Sequence, residues 1–281
     1  MQTFVTRLEL ILWRKQQHEA QNQIGFVPTM GALHKGHLSL IEKACQENDQ
    51  VVVSIFVNPK QFNQSADLHV YPRMLNADLQ LLKHLNNLII FTPSESEMYP
   101  TNVPFNPMSL GKIGRLLEGA NRPGHFEGVV HVVHHLFDLI QPHQAYFGQK
   151  DFQQLAIIRL LNEYYRFGIQ IIGCETIREI DGLAMSSRNL RLSPADRQNA
   201  VSIFKALSMV CNNVGKQSIG SVIEEARSII EEAGLQIDYL EIVDPVTLES
   251  CAEWQEIQVC CVAAFCGEVR LIDNMLCESV L

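Results

Sequence analysis

The run VVVSIFVNP, residues 51–59, most limits how this chain can fold. It carries no charge and is dense in β-branched residues, which suits a strand buried on both faces. Such strands belong to parallel sheets, where the crossover connections lay helices over the sheet. IGFVPT, a loop and the helical LSLIEKACQEN precede it, so strand, loop, helix and strand follow one another as a βαβ unit. The alternation continues through NADLQLLKHLNN (helix), LIIFTPS (strand), GVVHVVHHLFDLI (helix), QAYFG (strand), DFQQLAIIRLLNEYYRFG (helix, ending at Gly168) and IQIIGCETI (strand). The predicted fold class is α/β, a Rossmann-like parallel sheet with helices on both faces and ligands bound beyond the carboxyl ends of its strands.

After REIDGLAMSSRNLRLSP the pattern changes. ADRQNAVSIFKALSMVCNNV and SVIEEARSIIEEAG read as two helices, and IDYLEIVD, QVCCVAAFC and EVRLIDNM as strands of a small sheet. A boundary near Thr176 follows, with residues 1–176 as the Rossmann-like domain and 177–281 as a smaller C-terminal α+β domain. An amphipathic helix is expected over Leu8–Gln21, ahead of the first strand.

Composition excludes several functions. A net charge of -9 in 281 residues argues against a general polyanion binder, so no nucleic-acid partner is expected and any phosphate should sit in a local site. Arg7 and Glu9 interrupt the apolar N-terminus, and no run approaches the roughly 18 apolar residues of a membrane span. No membrane association and a cytoplasmic location are therefore expected. The eight cysteines (Cys45, Cys174, Cys211, Cys251, Cys260, Cys261, Cys266 and Cys277) form no CxxC pair, so reduced, buried thiols are expected.

Chemistry concentrates in HKGH, where His34 and His37 follow a predicted strand and open a predicted helix. A helix N-terminus presents unpaired N–H groups and a partial positive charge, and two imidazoles there can donate to phosphate oxygens. Taken alone, HxxH also describes two surface histidines; a zinc site has no third ligand at a suitable spacing. In HVVHH, His131 and His135 stand i, i+4, yet the HExxH base is missing and the neighbours are Val and Leu, so solvated or core-edge histidines without a metal are expected.

The loop resembles the HxGH motif of the nucleotidyltransferase superfamily, whose members attack the α-phosphate of a nucleoside triphosphate and release pyrophosphate. SIFVNPKQF, YPR at 71–73, RPGHFEGV at 122–129, GQKDFQQ at 148–154 and DGLAMSSRN at 181–189, with YLEIVDPVTLE and the closing RLIDNM, together resemble the pantothenate synthetase (pantoate–β-alanine ligase) family over nearly the full length. That resemblance implies ATP-dependent condensation of pantoate with β-alanine to pantothenate through pantoyl adenylate, releasing AMP and pyrophosphate. It also implies Mg2+ accompanying ATP as co-substrate, a homodimer, and a C-terminal domain that acts as a lid. The alternative is an HxGH nucleotidyltransferase acting on another small acceptor, which would keep the nucleotide on its product.

Residue by residue, the resemblance implies that His34, His37, Lys150 and Arg188 stabilise phosphate charge. ATP would be bound by Met30, His37, Gly148, Lys150, Asp151, Ile177, Ser186, Ser187 and Arg188. Pantoate would be held by Gln61 and Gln154 at its hydroxyl and carboxylate, with Met30 and Phe62 at its gem-dimethyl group. These types suit the tasks. Lys150 offers a point charge, Arg188 a fixed fork for phosphate oxygens, and Asp151 an acceptor for ribose hydroxyls. Two neutral amides leave pantoate's carboxylate nucleophilic, where a cation would blunt it. The bland readings are a solvated loop charge at Lys150, a polar hinge at MSSRN and core positions for Met30 and Phe62. Two departures from the family pattern are Gln149, where many members have Glu, and Ala66, where an acidic residue often precedes Asp67.

Overall fold

A computed structural model describes residues 1–63 and 65–278; the side chains of Ser65, Ala66 and Asp67, and with them the Ala66 departure, lie outside the described residues. Six parallel strands build one sheet: β1 (Gln2–Phe4), β2 (Ile24–Thr29), β3 (Gln50–Ile55), β4 (Leu88–Phe91), β5 (Gln144–Gly148) and β6 (Gln170–Cys174), in the order β1-β4-β3-β2-β5-β6. Val51, Val52 and Val53 of β3 are wholly buried, as an uncharged run requires. β2 pairs with β3 on one side and β5 on the other, so the strand order reverses here: β3 and β4 lie to one side of β2, and the chain then crosses back from β4 to place β5 and β6 on the other. The carboxyl ends of β2, β3 and β5 are neighbours there, the place where such sheets bind ligands.

The sequence pattern does not show β1. Three residues are too few to establish a period, and only its pairing with β4 makes it a strand. The first helix runs over Arg7–Glu19 rather than Leu8–Gln21, because Thr6 and Glu9 form a capping box at its start. Gln21, at a φ of 57°, turns the chain out of it at the other end.

The chain divides into two compact units, Met1–Gln149 with Gln154–Glu175, and Lys150–Gln153 with Thr176–Leu281. The second holds an antiparallel sheet of β7 (Gln236–Val243), β8 (Ile257–Cys266) and β9 (Val269–Glu278), in that order. Ile203, Leu207 and Val210 of the helix Val201–Asn212 and Val222, Ala226 and Ile230 of Ile219–Glu232 pack in one core with Cys260, Val262 and Ala264 of β8. The single helix expected over ADRQNAVSIFKALSMVCNNV breaks at Ala200, the cap of a separate Pro194–Asn199 segment.

The expectation of reduced thiols throughout is corrected at one pair. Cys211 and Cys277 form a disulfide with their Cα atoms 4.8 Å apart. They are 66 residues apart in sequence, and they meet because the helix Val201–Asn212 packs on β9. The other six cysteines are free, and burial pushes the thiols of Cys45 and Cys174 up to about 11, which leaves them protonated and unreactive.

Candidate active site

In the first unit the histidine loop is built from the end of β2. The Thr29 hydroxyl donates to the Ser54 carbonyl of β3 at 2.8 Å and accepts from the Gly31 N–H at 3.2 Å. Gly31 and Ala32 then take φ values of 80° and 50°. The left-handed region is uncommon for alanine, and a buried carboxylate holds it there. Asp78, on the helix Leu75–Leu82, accepts from the Ala32 N–H at 3.0 Å and the Leu33 N–H at 2.7 Å. Burial raises the Asp78 pKa, and the two amide bonds act against that rise. Sequence reasoning missed Asp78: its only signal was a lone carboxylate in an apolar helix, 45 residues from Leu33.

The helix Lys35–Glu47 begins at His34, its N-cap, and the two histidines cap it reciprocally. His34 Nδ1 accepts from the Gly36 N–H at 3.2 Å, and His37 Nδ1 accepts from the His34 N–H at 3.3 Å. The rings lie 4.1 Å apart. A nitrogen that accepts carries no proton, so each ring is the neutral tautomer with its hydrogen on Nε2. The loop thus sets two Nε2–H donors beside the N-terminus of a 13-residue helix.

Beyond β3, Asn58 and the 3-10 turn Pro59–Gln61 carry the next predicted residues. Gln61 is buried and its Nε2 donates to the Met30 sulfur at 3.1 Å, so these two meet. Its main-chain oxygen lies 2.8 Å from His125 Nδ1. Phe62, directly after the turn, meets Tyr71 edge-on at 5.8 Å. Gly128, on the helix His125–Ile140, passes so close that a Cβ there would lie 2.2 Å from the Lys60 carbonyl oxygen. Gly148 ends β5, and Gln154 stands half-buried in the first turn of the helix Phe152–Tyr164.

In the second unit, Lys150, Ser186 and Arg188 line one cavity together with Asn189, Arg270 and Asp273. Arg178 fixes its wall: it reaches both Asp273 carboxylate oxygens, at 2.6 and 3.1 Å, and the Asn274 carbonyl at 3.2 Å. Asn274 in turn donates to the Lys150 carbonyl at 2.8 Å. Ile177 accepts from the Met185 N–H, closing a short hairpin, and Ser186 caps the 3-10 turn Ser187–Arg191 through the Arg188 N–H at 3.3 Å. Asp151 is exposed. The expected site residues therefore fall into three groups: His34 with His37 within one helix start, and, from segments distant in the sequence, Met30 with Gln61 and Lys150 with Ser186 and Arg188.

His131 and His135 approach to 3.1 Å between their Nε2 atoms, and His131 stacks on Phe105 at 4.0 Å. Burial lowers both pKa values to about 4, with the Lys60 charge acting further on His131 and His134 on His135. Among the described residues no group of three His, Cys, Asp or Glu side chains could hold a metal ion.

Comparison with known proteins places these features. A sequence model of the family described as pantoate-beta-alanine ligase matches residues 2–276. The pantothenate synthetase of Bacteroides thetaiotaomicron is 46% identical over 261 residues, 92% of each chain. That of Pseudomonas fluorescens is 45% identical over 278 residues, 98% of this chain and 97% of the relative. Among solved structures, the enzyme from Thermus thermophilus superposes with a TM-score of 0.92 at 42% identity, over 98% of this chain and 99% of that one. The pantoate–β-alanine ligase of Francisella tularensis, complexed with beta-gamma ATP and beta-alanine, gives 0.83 at 37% identity, over 98% of this chain and 97% of that one. A parallel sheet with an HKGH helix start after its second strand defines an α/β enzyme of the HxGH nucleotidyltransferase class. Within that class, the chain belongs to the pantoate–β-alanine ligase family. The activity of that family is AMP-forming ligation of pantoate to β-alanine, giving pantothenate.

Proposed function

We propose that this chain carries out the reaction with the residues its two units present. One pantoate carboxylate oxygen attacks the α-phosphorus of ATP, and the bond from that phosphorus to pyrophosphate breaks. The β-alanine amine then attacks the pantoyl carbonyl, loses a proton, and displaces AMP. His34 and His37 donate through Nε2 to phosphate oxygens, where charge grows as the bond to pyrophosphate breaks. Lys150 and Arg188, with Ser186 and Ser187 as hydroxyl donors, supply positive charge and hydrogen bonds to ATP phosphates. Met30, Gly148, Asp151 and Ile177 complete the nucleotide contacts; Gln61, Gln154, Met30 and Phe62 hold pantoate. No residue here needs to act as a covalent nucleophile.

Magnesium belongs to the same proposal as part of the nucleotide substrate, bound to ATP phosphates, and no side chain is assigned as its ligand. A homodimer, a cytoplasmic location and a lid role for residues 177–281 are proposed with it; no helix among the described residues is long and apolar enough to cross a membrane. The observation that supports the reading is the reciprocal histidine cap, in which each Nδ1 accepts and the proton of each neutral ring is left on Nε2.

A product assay tests it, with purified protein, Mg-ATP and pantoate, with and without β-alanine. Pantothenate and AMP in equal amounts, dependent on both acids, are expected. Nucleotide retained on the acceptor, or no turnover with pantoate, would reject it.

A further inference from the structure

Behind Gln61 lies a chain of hydrogen bonds that decides which end of its amide meets the substrate. Asn58 is buried to 1% exposure, and each of its polar atoms is assigned by its neighbours. The Lys60 main-chain N–H points at one of them at 3.1 Å; an N–H can only donate, so that atom is Oδ1. The Tyr99 hydroxyl lies 2.6 Å from the same oxygen and therefore donates to it. The Asn58 Nδ2 then faces the Gly128 carbonyl at 3.1 Å and the Gln61 side chain at 3.0 Å. An amide N–H needs an acceptor, so Gln61 must turn Oε1 inward and its NH2 group outward. Outward, that NH2 meets the Met30 sulfur, a weak acceptor that a stronger one can displace.

We propose that Tyr99 is a positioning residue for substrate recognition: through Asn58 it locks Gln61 with its N–H donors facing the substrate, so that Gln61 reads an acceptor oxygen of a carboxylate or hydroxyl. The inference rests on the assignment of Gln61 to pantoate. Tyr99 is itself held on several sides. The Lys60 ammonium sits 3.8 Å above its ring, and Phe56 and His131 meet it edge-on at 6.1 and 4.8 Å. Its hydroxyl stays protonated because burial, and then Glu95, raise its pKa. Nothing in the sequence signals the role, since Tyr99 is 41 residues from Asn58 and reaches the substrate only through two other side chains.

Steady-state kinetics of Tyr99→Phe, Gln61→Ala and the double variant test the inference. Tyr99→Phe should raise the KM for pantoate about 3- to 10-fold, the worth of one neutral hydrogen bond, and leave the KM for ATP and β-alanine unchanged. In the Gln61→Ala background the same substitution should add nothing, because the group it positions is gone. An unchanged pantoate KM in Tyr99→Phe, an equal rise for all three substrates, or the full effect repeated in the double variant would each overturn the positioning role. If Gln61→Ala alone leaves pantoate KM unchanged, the assignment of Gln61 to pantoate fails, and the positioning role fails with it.

Discussion

At the scale of single residues, His34 and His37 divide two jobs between two nitrogens: Nδ1 closes the helix start, and in the proposed reaction Nε2–H is the donor to phosphate. The jobs separate on substitution. His37→Ala should lower the rate of pantoyl adenylate formation by about 100-fold, as loss of one donor to developing charge does. The lost cap should cost only about 1 kcal/mol of stability. Pyrophosphate release and urea unfolding of the same variant check both numbers. Asp78 makes the opposite case. Asp78→Ala leaves the Ala32 and Leu33 amides unpaired in a buried loop, so unfolding should become easier by about 2–4 kcal/mol, read from urea midpoints. The difference in legibility is physical. HKGH announced itself because donor type and helix start coincide within four residues, whereas Asp78 acts on the loop through tertiary packing that no local pattern carries.

At the scale of elements, every strand of five residues or more was legible in the sequence pattern. β8 shows why: its VCCVAA core is buried throughout, and no helix period competes with it. β1 was not, and the break at Ala200 was hidden because ADRQNAVSIFK keeps a helical period across it. The helix His125–Ile140 carries two predictions. Gly128→Ala would push it from the turn holding Gln61, lowering stability by about 1–3 kcal/mol and raising the pantoate KM. Thermal melting and steady-state kinetics of one variant read both effects. The same helix holds His131 and His135 neutral. Their folded pKa values, about 4, lie below the ordinary 6.5, so the unfolded chain binds more protons between these limits. Their contribution to stability is therefore full above about 6.5 and falls away as the pH drops toward 4. His135→Leu should flatten that part of the stability–pH curve, and urea midpoints across the range will show it.

At the scale of the whole molecule, each unit has its own sheet and its own core, and the disulfide belongs to the second. Closing a loop of 66 residues should stabilise that unit by about 4 kcal/mol on chain entropy alone. Reductant or Cys211→Ser should lower its urea midpoint accordingly, with no shift expected if the thiols are unpaired in solution. The bond escaped the sequence because spacing carries no information about a pairing made by a helix crossing a strand. Gln61 and Met30 were legible only as separate names; that their side chains touch is a product of β2 and β3 lying side by side.

If the two histidines act as proposed, their cap also ties readiness for the reaction to the opening and closing of one helical turn. When the Gly36 and His34 amides let go, both rings lose the acceptor bonds that select their tautomer, and each becomes an ordinary imidazole whose proton wanders between two nitrogens. Fraying at Lys35–His37 and loss of the competent proton arrangement are then a single equilibrium. A ligand anion that draws on Nε2–H would tighten the first turn from a distance, and nitrogen chemical shifts of the rings would move together with amide exchange at Gly36.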